Sequence, residues 1–168
     1  MEKDNGKLPN FFIVGAAKGG TTSLYYYLKQ HPEVFMCPIK ELNYFAKDIK
    51  SENFRKEYYN DTYLDIKKYI KSGMKKTIPM AFVENLEDYE SLFSNVRNEK
   101  AIGESSISYL YSKVAAKEIF KFNPKAKIII ILRNPLERAF SHYLMDLKHG
   151  YASGSFIEEI KKDQIRER

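Results

Sequence analysis

A three-layer α/β fold on a mainly parallel sheet is what this sequence predicts, and three features predict it. Phe11-Phe12-Ile13-Val14 is a short apolar run that ends at Gly15, and a glycine-rich stretch carries it into helical sequence. Lys127-Ile-Ile-Ile-Ile-Leu132 is a second run, apolar and β-branched along its length. Between the two lie segments with helical periodicity. Unbroken apolar runs suit strands covered on both faces, as parallel strands are, and strands alternating with helices define the α/β class.

Each element follows from local chemistry. After the first strand, Gly15 to Thr22 form a loop. A helix starts near Thr22 or Ser23 and runs to about Gln30, where His31-Pro32 stops it, because the residue before a proline is driven out of helical geometry. From Ala46 to Pro79 the chain is charged and tyrosine-rich without a usable period, and no element is assigned there. Glu84 to Asn95 predicts an amphipathic helix with Leu86, Tyr89, Leu92 and Phe93 on one face. Ala101 to Glu104 predicts a short strand, and Lys113 to Phe122 a helix ended by Asn123-Pro124. Lys127 to Leu132 is expected to be a buried strand. Pro135 suits a first helical position, and that helix runs to about His149 before Gly150. A last amphipathic helix begins near Ser155 and continues to the C-terminus.

The length of 168 residues fits one domain, spanning residues 1–168. Net charge is +6, spread along the chain, which favours an anionic ligand such as a nucleotide, an acidic glycan or nucleic acid. Aromatics are abundant, with 13 Tyr and 11 Phe. No nucleic-acid-binding module is recognisable, so no nucleic-acid partner is expected. Cys37 is the sole cysteine, so neither an internal disulfide nor a cysteine-built metal site can form. No apolar stretch is long enough to span a bilayer and no signal peptide is visible, so the expectation is a cytoplasmic protein without stable membrane insertion. Nothing in the sequence sets an oligomeric state.

The first chemical motif is Gly15-Ala-Ala-Lys18-Gly19-Gly20-Thr21-Thr22-Ser23. Glycines let backbone N–H groups close on an anion at a helix start, threonine and serine hydroxyls add donors, and Lys18 adds a full charge. A bland alternative is a turn that merely joins strand to helix. The ordinary phosphate-binding P-loop is a second rival, but it needs lysine directly after its second glycine, where this chain has Thr21 after Gly20. The strong strand also runs into Arg133 rather than the acidic residue that would hold magnesium.

With its lysine displaced to position 18, the motif resembles the 5'-phosphosulfate loop of the sulfotransferases that use 3'-phosphoadenosine-5'-phosphosulfate (PAPS), a pattern close to G-x-x-K-x-G-T-T-S. The resemblance is strongest to glycan and heparan-sulfate-type enzymes and their bacterial relatives. It implies that Lys18, Gly19, Gly20, Thr21, Thr22 and Ser23 bind the donor.

Leu132-Arg133-Asn134-Pro135-Leu136-Glu137-Arg138-Ala139-Phe140-Ser141 is the second motif. A guanidinium at the C-terminal end of a strand sits where open α/β sheets bind ligands, and it can grip a phosphate through paired hydrogen bonds. The Arg…Ser spacing and the R-N-P-x-E-R-A core are similar to the family's 3'-phosphate site, which implies that Arg133 and Ser141 bind that phosphate. Taken singly, either residue reads as well as a surface ion-pair partner or a solvated helix residue; both motifs in order decide the reading.

Sulfuryl transfer needs an in-line approach, neutralised oxygens and a base for the acceptor hydroxyl, and cationic side chains can do the neutralising without a metal. Lys18 is the candidate for stabilising charge on the leaving phosphate and the moving sulfuryl group. Lys40-Glu41-Leu42-Asn43-Tyr44-Phe45 resembles a K-E-x-x-[YF]-F segment of the glycan enzymes, which implies Glu41 as catalytic base, with an exposed Lys40–Glu41 ion pair as the ordinary alternative. His31 at a helix end reads as a cap and His142 as a helix residue turned aside. Gly103-Glu104-Ser105-Ser106-Ile107-Ser108-Tyr109 is similar to a segment near the acceptor site, making Glu104 and Tyr109 weaker candidates for acceptor contact; Ile107 stands where the family usually has proline.

The resemblance implies an O-sulfotransferase that moves a sulfuryl group from PAPS to a hydroxyl, with a carbohydrate as the expected acceptor and no metal. It also implies a domain that continues beyond Arg168. A remnant that binds PAPS or its product PAP (3'-phosphoadenosine-5'-phosphate) without turnover is the alternative, and a P-loop NTPase or kinase is a more distant one.

Overall fold

The computed structural model describes residues 7–50 and 64–165. In chain order the elements are β1 (Phe11–Gly15), α1 (Thr21–Lys29), β2 (Val34–Met36), β3 (Ile39–Glu41), α2 (Ile66–Lys71), β4 (Ile78–Met80), α3 (Leu86–Ser91), β5 (Ala101–Ser105), a 3-10 turn (Ile107–Leu110), α4 (Ala115–Phe122), β6 (Lys127–Ile130), α5 (Pro135–Lys148) and α6 (Phe156–Ile165). Four strands form one sheet in the order β2-β5-β1-β6, and every pairing in it is parallel. β1 lies inside the sheet, with Phe12 opposite Glu104 on one side and Ile128 on the other.

Strand alternation splits β1 between two cores. Phe11 and Ile13 face α1, where Tyr25, Leu24 and Leu28 cover them with Met36 of β2. Phe12 and Val14 face the opposite layer, built from Leu42, Phe45, Tyr89, Leu92, Phe93, Ala115 and Ile119. Helix, sheet and a second covering layer make the three layers that the sequence predicts. Aromatic edges fill the second core: the Phe12 and Phe45 rings meet at 5.6 Å edge to face, and Tyr44 stacks on Tyr89 at 4.3 Å.

Several elements differ from expectation. The helix predicted over 84–95 is confined to Leu86–Ser91, because the Asn85 side chain caps the Asp88 N–H at its start. The stretch without assignment contributes α2 and β4, and β4 pairs in parallel with β3. Strands as short as these leave almost no periodic signal. Residues 51–63 of that stretch lie outside the described residues.

The larger correction concerns β6. It forms as expected, but it is not buried on both faces: Ile128 is 50% and Ile130 49% exposed, and Leu132 beyond it is 77% exposed. Among the described residues β6 is the last strand of the sheet and pairs with β1 alone. Its outward isoleucines line an apolar groove with Val14, Ile119 and Phe120. α5 and α6 pack on each other through Phe140, Tyr143 and Phe156, and no residue of α5 is buried.

Candidate active site

Parallel pairing brings the C-terminal ends of β1, β5 and β6 to one edge, the edge at which open α/β sheets bind ligands. The loop after β1 is stitched to the end of β6 there. Ala16 N–H donates to Ile131 O (2.9 Å) and Ile131 N–H donates to Gly15 O (2.8 Å). Gly19 then passes so close that a Cβ would stand 2.5 Å from the Ile131 carbonyl oxygen, so only glycine fits. Lys18 holds a left-handed backbone (φ 61°), a conformation that costs a non-glycine residue on the order of 1 kcal/mol or more and marks a built site.

Gly20 is the N-cap of α1, left-handed at φ 107° and without a side chain to close the helix end. The first-turn N–H groups of a helix have no partners within the helix, and the space above Gly20 is open. Thr21 is buried, whereas Thr22 and Ser23 are exposed beside that end. The loop therefore gathers free donors, a partial positive charge from the helix and the ammonium of Lys18.

Arg133 enters this edge from the other side, two positions beyond the stitched Ile131. Its Nε donates to Glu137 Oε2 at 3.0 Å. Glu137 and Ser141 stand four residues apart on α5 and so share one face. The guanidinium thus lies over the face that carries Ser141. The ion pair takes one of its five N–H donors, and a bidentate grip on phosphate needs only two. Asn134 caps α5, its side chain accepting from the Leu136 N–H at 3.0 Å.

Glu41 ends β3, only 7% exposed, and takes the Lys40 ammonium on Oε1 at 2.5 Å. The pair is buried, unlike the exposed pair that the ordinary reading required. The Tyr111 phenol is raised by desolvation and then by the carboxylates of Glu41 and Asp48. A hydrogen-bond chain ties this segment to the loop edge. Ser106 N–H donates to Ile13 O (3.1 Å), two residues before Gly15, and Ser106 Oγ accepts the N–H of Leu42 (3.0 Å) and of Asn43 (3.2 Å).

Glu104 is fully buried and cannot touch an acceptor, and Tyr109 is only 4% exposed, on the wall of the apolar groove beside β6, with its hydroxyl turned inward to Glu104. Glu104 instead accepts hydroxyl protons from Tyr89 (2.7 Å), Ser106 (2.9 Å) and Tyr109. Burial raises its carboxyl to about 7, against the lowering by these hydroxyls. Ser106, Tyr89 and Asn43 are not among the residues that the sequence singles out for a site; the acid at Glu104 is visible there, but nothing local marks it as buried or names its partners. The histidines behave as expected. His31 Nδ1 accepts the Glu33 N–H (3.1 Å) at the helix end, and His142 Nε2 lies 3.9 Å from Asp146 on its own helix.

The chain is similar to known proteins. The membrane-associated sulfotransferase kil1 of Dictyostelium discoideum is 32% identical over 81% of this chain and 22% of its own length. Mouse carbohydrate sulfotransferase 15 is 29% identical over 91% of this chain and 30% of its own. The human bifunctional heparan sulfate N-deacetylase/N-sulfotransferase 2 is 32% identical over 89% of this chain and 14% of its own. A crystal structure of a sulfotransferase from Alicyclobacillus acidocaldarius superposes with a TM-score of 0.70 at 35% identity, covering 94% of this chain and 57% of that one. The chain thus spans less than a third of these curated relatives. The Sulfotransferase family model matches residues 9–167, and the chain belongs to that family.

Proposed function

We propose that this chain binds PAPS along the loop edge and supports transfer of its sulfuryl group to a hydroxyl of a carbohydrate acceptor. The observation that supports the reading is the stitched edge, where backbone hydrogen bonds hold the loop that carries Lys18 and the uncapped start of α1 against the end of β6, two residues before Arg133. Donors and cations of that kind suit a ligand with phosphate-like groups at two positions. In this reading Lys18, Gly19, Gly20, Thr21, Thr22 and Ser23 hold the phosphosulfate, and Arg133 and Ser141 hold the 3'-phosphate. The bond from sulfur to the bridging phosphate oxygen breaks, a bond from sulfur to the acceptor oxygen forms, and the acceptor proton passes to Glu41. Lys18 offsets the charge that grows on the departing phosphate. No metal is required for these roles. The carbohydrate acceptor is supported by the names of two relatives, and a cytoplasmic location is proposed on the lone, buried thiol of Cys37.

Calorimetric titration with PAP tests the reading. PAP is expected to bind and ATP to bind far more weakly, with Arg133→Ala weakening PAP by about tenfold or more, the loss of charge-assisted hydrogen bonds worth ~1.5–3 kcal/mol. PAP binding that ignores Arg133→Ala, or magnesium-dependent ATP binding that exceeds it, overturns the assignment. PAP binding without any PAPS turnover, unaffected by Lys18→Ala, would leave a nucleotide binder rather than an enzyme.

A further inference from the structure

We infer that Glu104 is a positioning residue for Glu41, acting as a template that fixes the backbone of the segment following the base; the inference rests on the sulfotransferase reading above. Glu104 is sealed from solvent and touches neither acceptor nor donor. Its carboxylate dictates how neighbouring hydroxyls point. A hydroxyl has one proton, and once that proton is given to a carboxylate only its oxygen remains for other partners.

Two hydroxyls are used in this way on the base segment. Ser106 gives its proton to Glu104 Oε1 (2.9 Å) and accepts the N–H groups of Leu42 (3.0 Å) and Asn43 (3.2 Å). Tyr109 also gives its proton to Glu104 Oε1 and accepts the Phe45 N–H at 3.3 Å. Tyr89 holds the other carboxylate oxygen at 2.7 Å and so fixes the carboxylate plane. Three amides of residues 42–45 therefore end on oxygens whose orientation one buried carboxylate sets. The turn they hold is an unusual one. Asn43 has φ 57°, its Nδ2 reaches Glu41 O (3.4 Å) and Ala81 O (3.3 Å), and its Oδ1 accepts from Ser108 Oγ (2.6 Å). Because the Ser106 N–H is bound to Ile13 O, the same unit sets the base strand against the end of β1, from which the phosphate loop departs.

The test uses the full chain and the variants Ser106→Ala, Ser106→Thr and Glu104→Gln. Kinetics with PAPS and a heparan-type polysaccharide are read beside PAP calorimetry and amide exchange in residues 39–45. Ser106→Ala is expected to lower kcat by about tenfold to a hundredfold, the usual scale for a displaced catalytic group, while KM for PAPS and Kd for PAP stay within about twofold. Ser106→Thr keeps the hydroxyl and restores most of the rate. Amide exchange at Leu42 and Asn43 speeds up in Ser106→Ala and in Glu104→Gln, whose amide can reverse the hydroxyls. Unchanged exchange, an unchanged kcat, or a loss of PAP affinity in parallel with kcat overturns the template. If the unmodified chain neither binds PAP nor consumes PAPS, the sulfotransferase reading falls by itself, and amide exchange still decides whether Glu104 governs the segment.

Discussion

β1 and β6 lie side by side, run in the same direction and are built from similar apolar residues, yet β1 is buried throughout and β6 is half open. Their composition does not account for the difference. β1 has a strand on each edge and a covering layer on each face, whereas β6 has β1 on one edge and, on the α4 side, leaves Ile128 and Ile130 half exposed in a groove. A run of apolar residues reports that a strand can be covered; what covers it is decided by elements elsewhere in the chain. The candidate edge straddles this divide, with Lys18 following the closed strand and Arg133 following the open one.

The sharpest way to break the comparison is to truncate one side chain in each strand. Phe12 is fully buried, and Phe12→Ala should cost about 3–5 kcal/mol in urea unfolding. Ile130 is 49% exposed, and Ile130→Ala should cost about 1 kcal/mol or less. Equal losses would mean that the face of β6 is as well covered as that of β1.

A second contrast lies in titration. Glu104 sits in the closed region with its carboxyl raised to about 7 from an ordinary 4.5. The groups around it are the hydroxyls of Tyr89, Ser106 and Tyr109, with the buried Cys37 thiol nearby. A carboxyl raised by folding holds its proton more tightly in the native state than in the unfolded chain. Its favourable contribution is complete below pH 4.5 and is lost as pH rises to about 7, a fall of ~3 kcal/mol at 1.36 kcal/mol per pKa unit. Glu104→Gln removes the titrating group. Its unfolding free energy should therefore lack that slope between pH 4.5 and 7, and a slope that persists would assign the titration elsewhere.

The contrast between the two strands also explains what could be read in advance. β1, α1, α4, β6 and α5 were legible because each combines a long enough period with a local stop: Gly15, His31-Pro32, Asn123-Pro124 and Pro135. Lys18 and Arg133 could be placed at one edge because parallel pairing of the two strongest strands leaves their ends together. β3 and β4 were not legible, because a three-residue strand carries one alternation at most. Nor was the Glu104 centre. The bonds from Tyr89 to Glu104, from Leu42 to Ser106 and from Ser108 to Asn43 cross 15 to 65 residues of chain, and no local pattern announces a hydrogen bond across such a distance. Its acid was visible in the sequence; its burial was not.

The finest test of the divide is Glu137, exposed on α5, whose carboxylate accepts from Arg133 Nε at 3.0 Å. As a surface ion pair it should add little to stability, so Glu137→Ala should shift unfolding by no more than ~0.5 kcal/mol. Its effect on ligand binding should be larger than its effect on the fold. Holding Nε on one side turns the remaining guanidinium donors in a fixed direction, and a preorganised fork loses less freedom when it closes on phosphate. PAP affinity in calorimetry should fall by about threefold to tenfold in Glu137→Ala, less than in Arg133→Ala. A rise in affinity would instead show that Glu137 competes with phosphate for the guanidinium. Either way the open half of the edge depends on a pair made at the surface, whereas Glu41 is paired with Lys40 where both side chains are only 9% exposed.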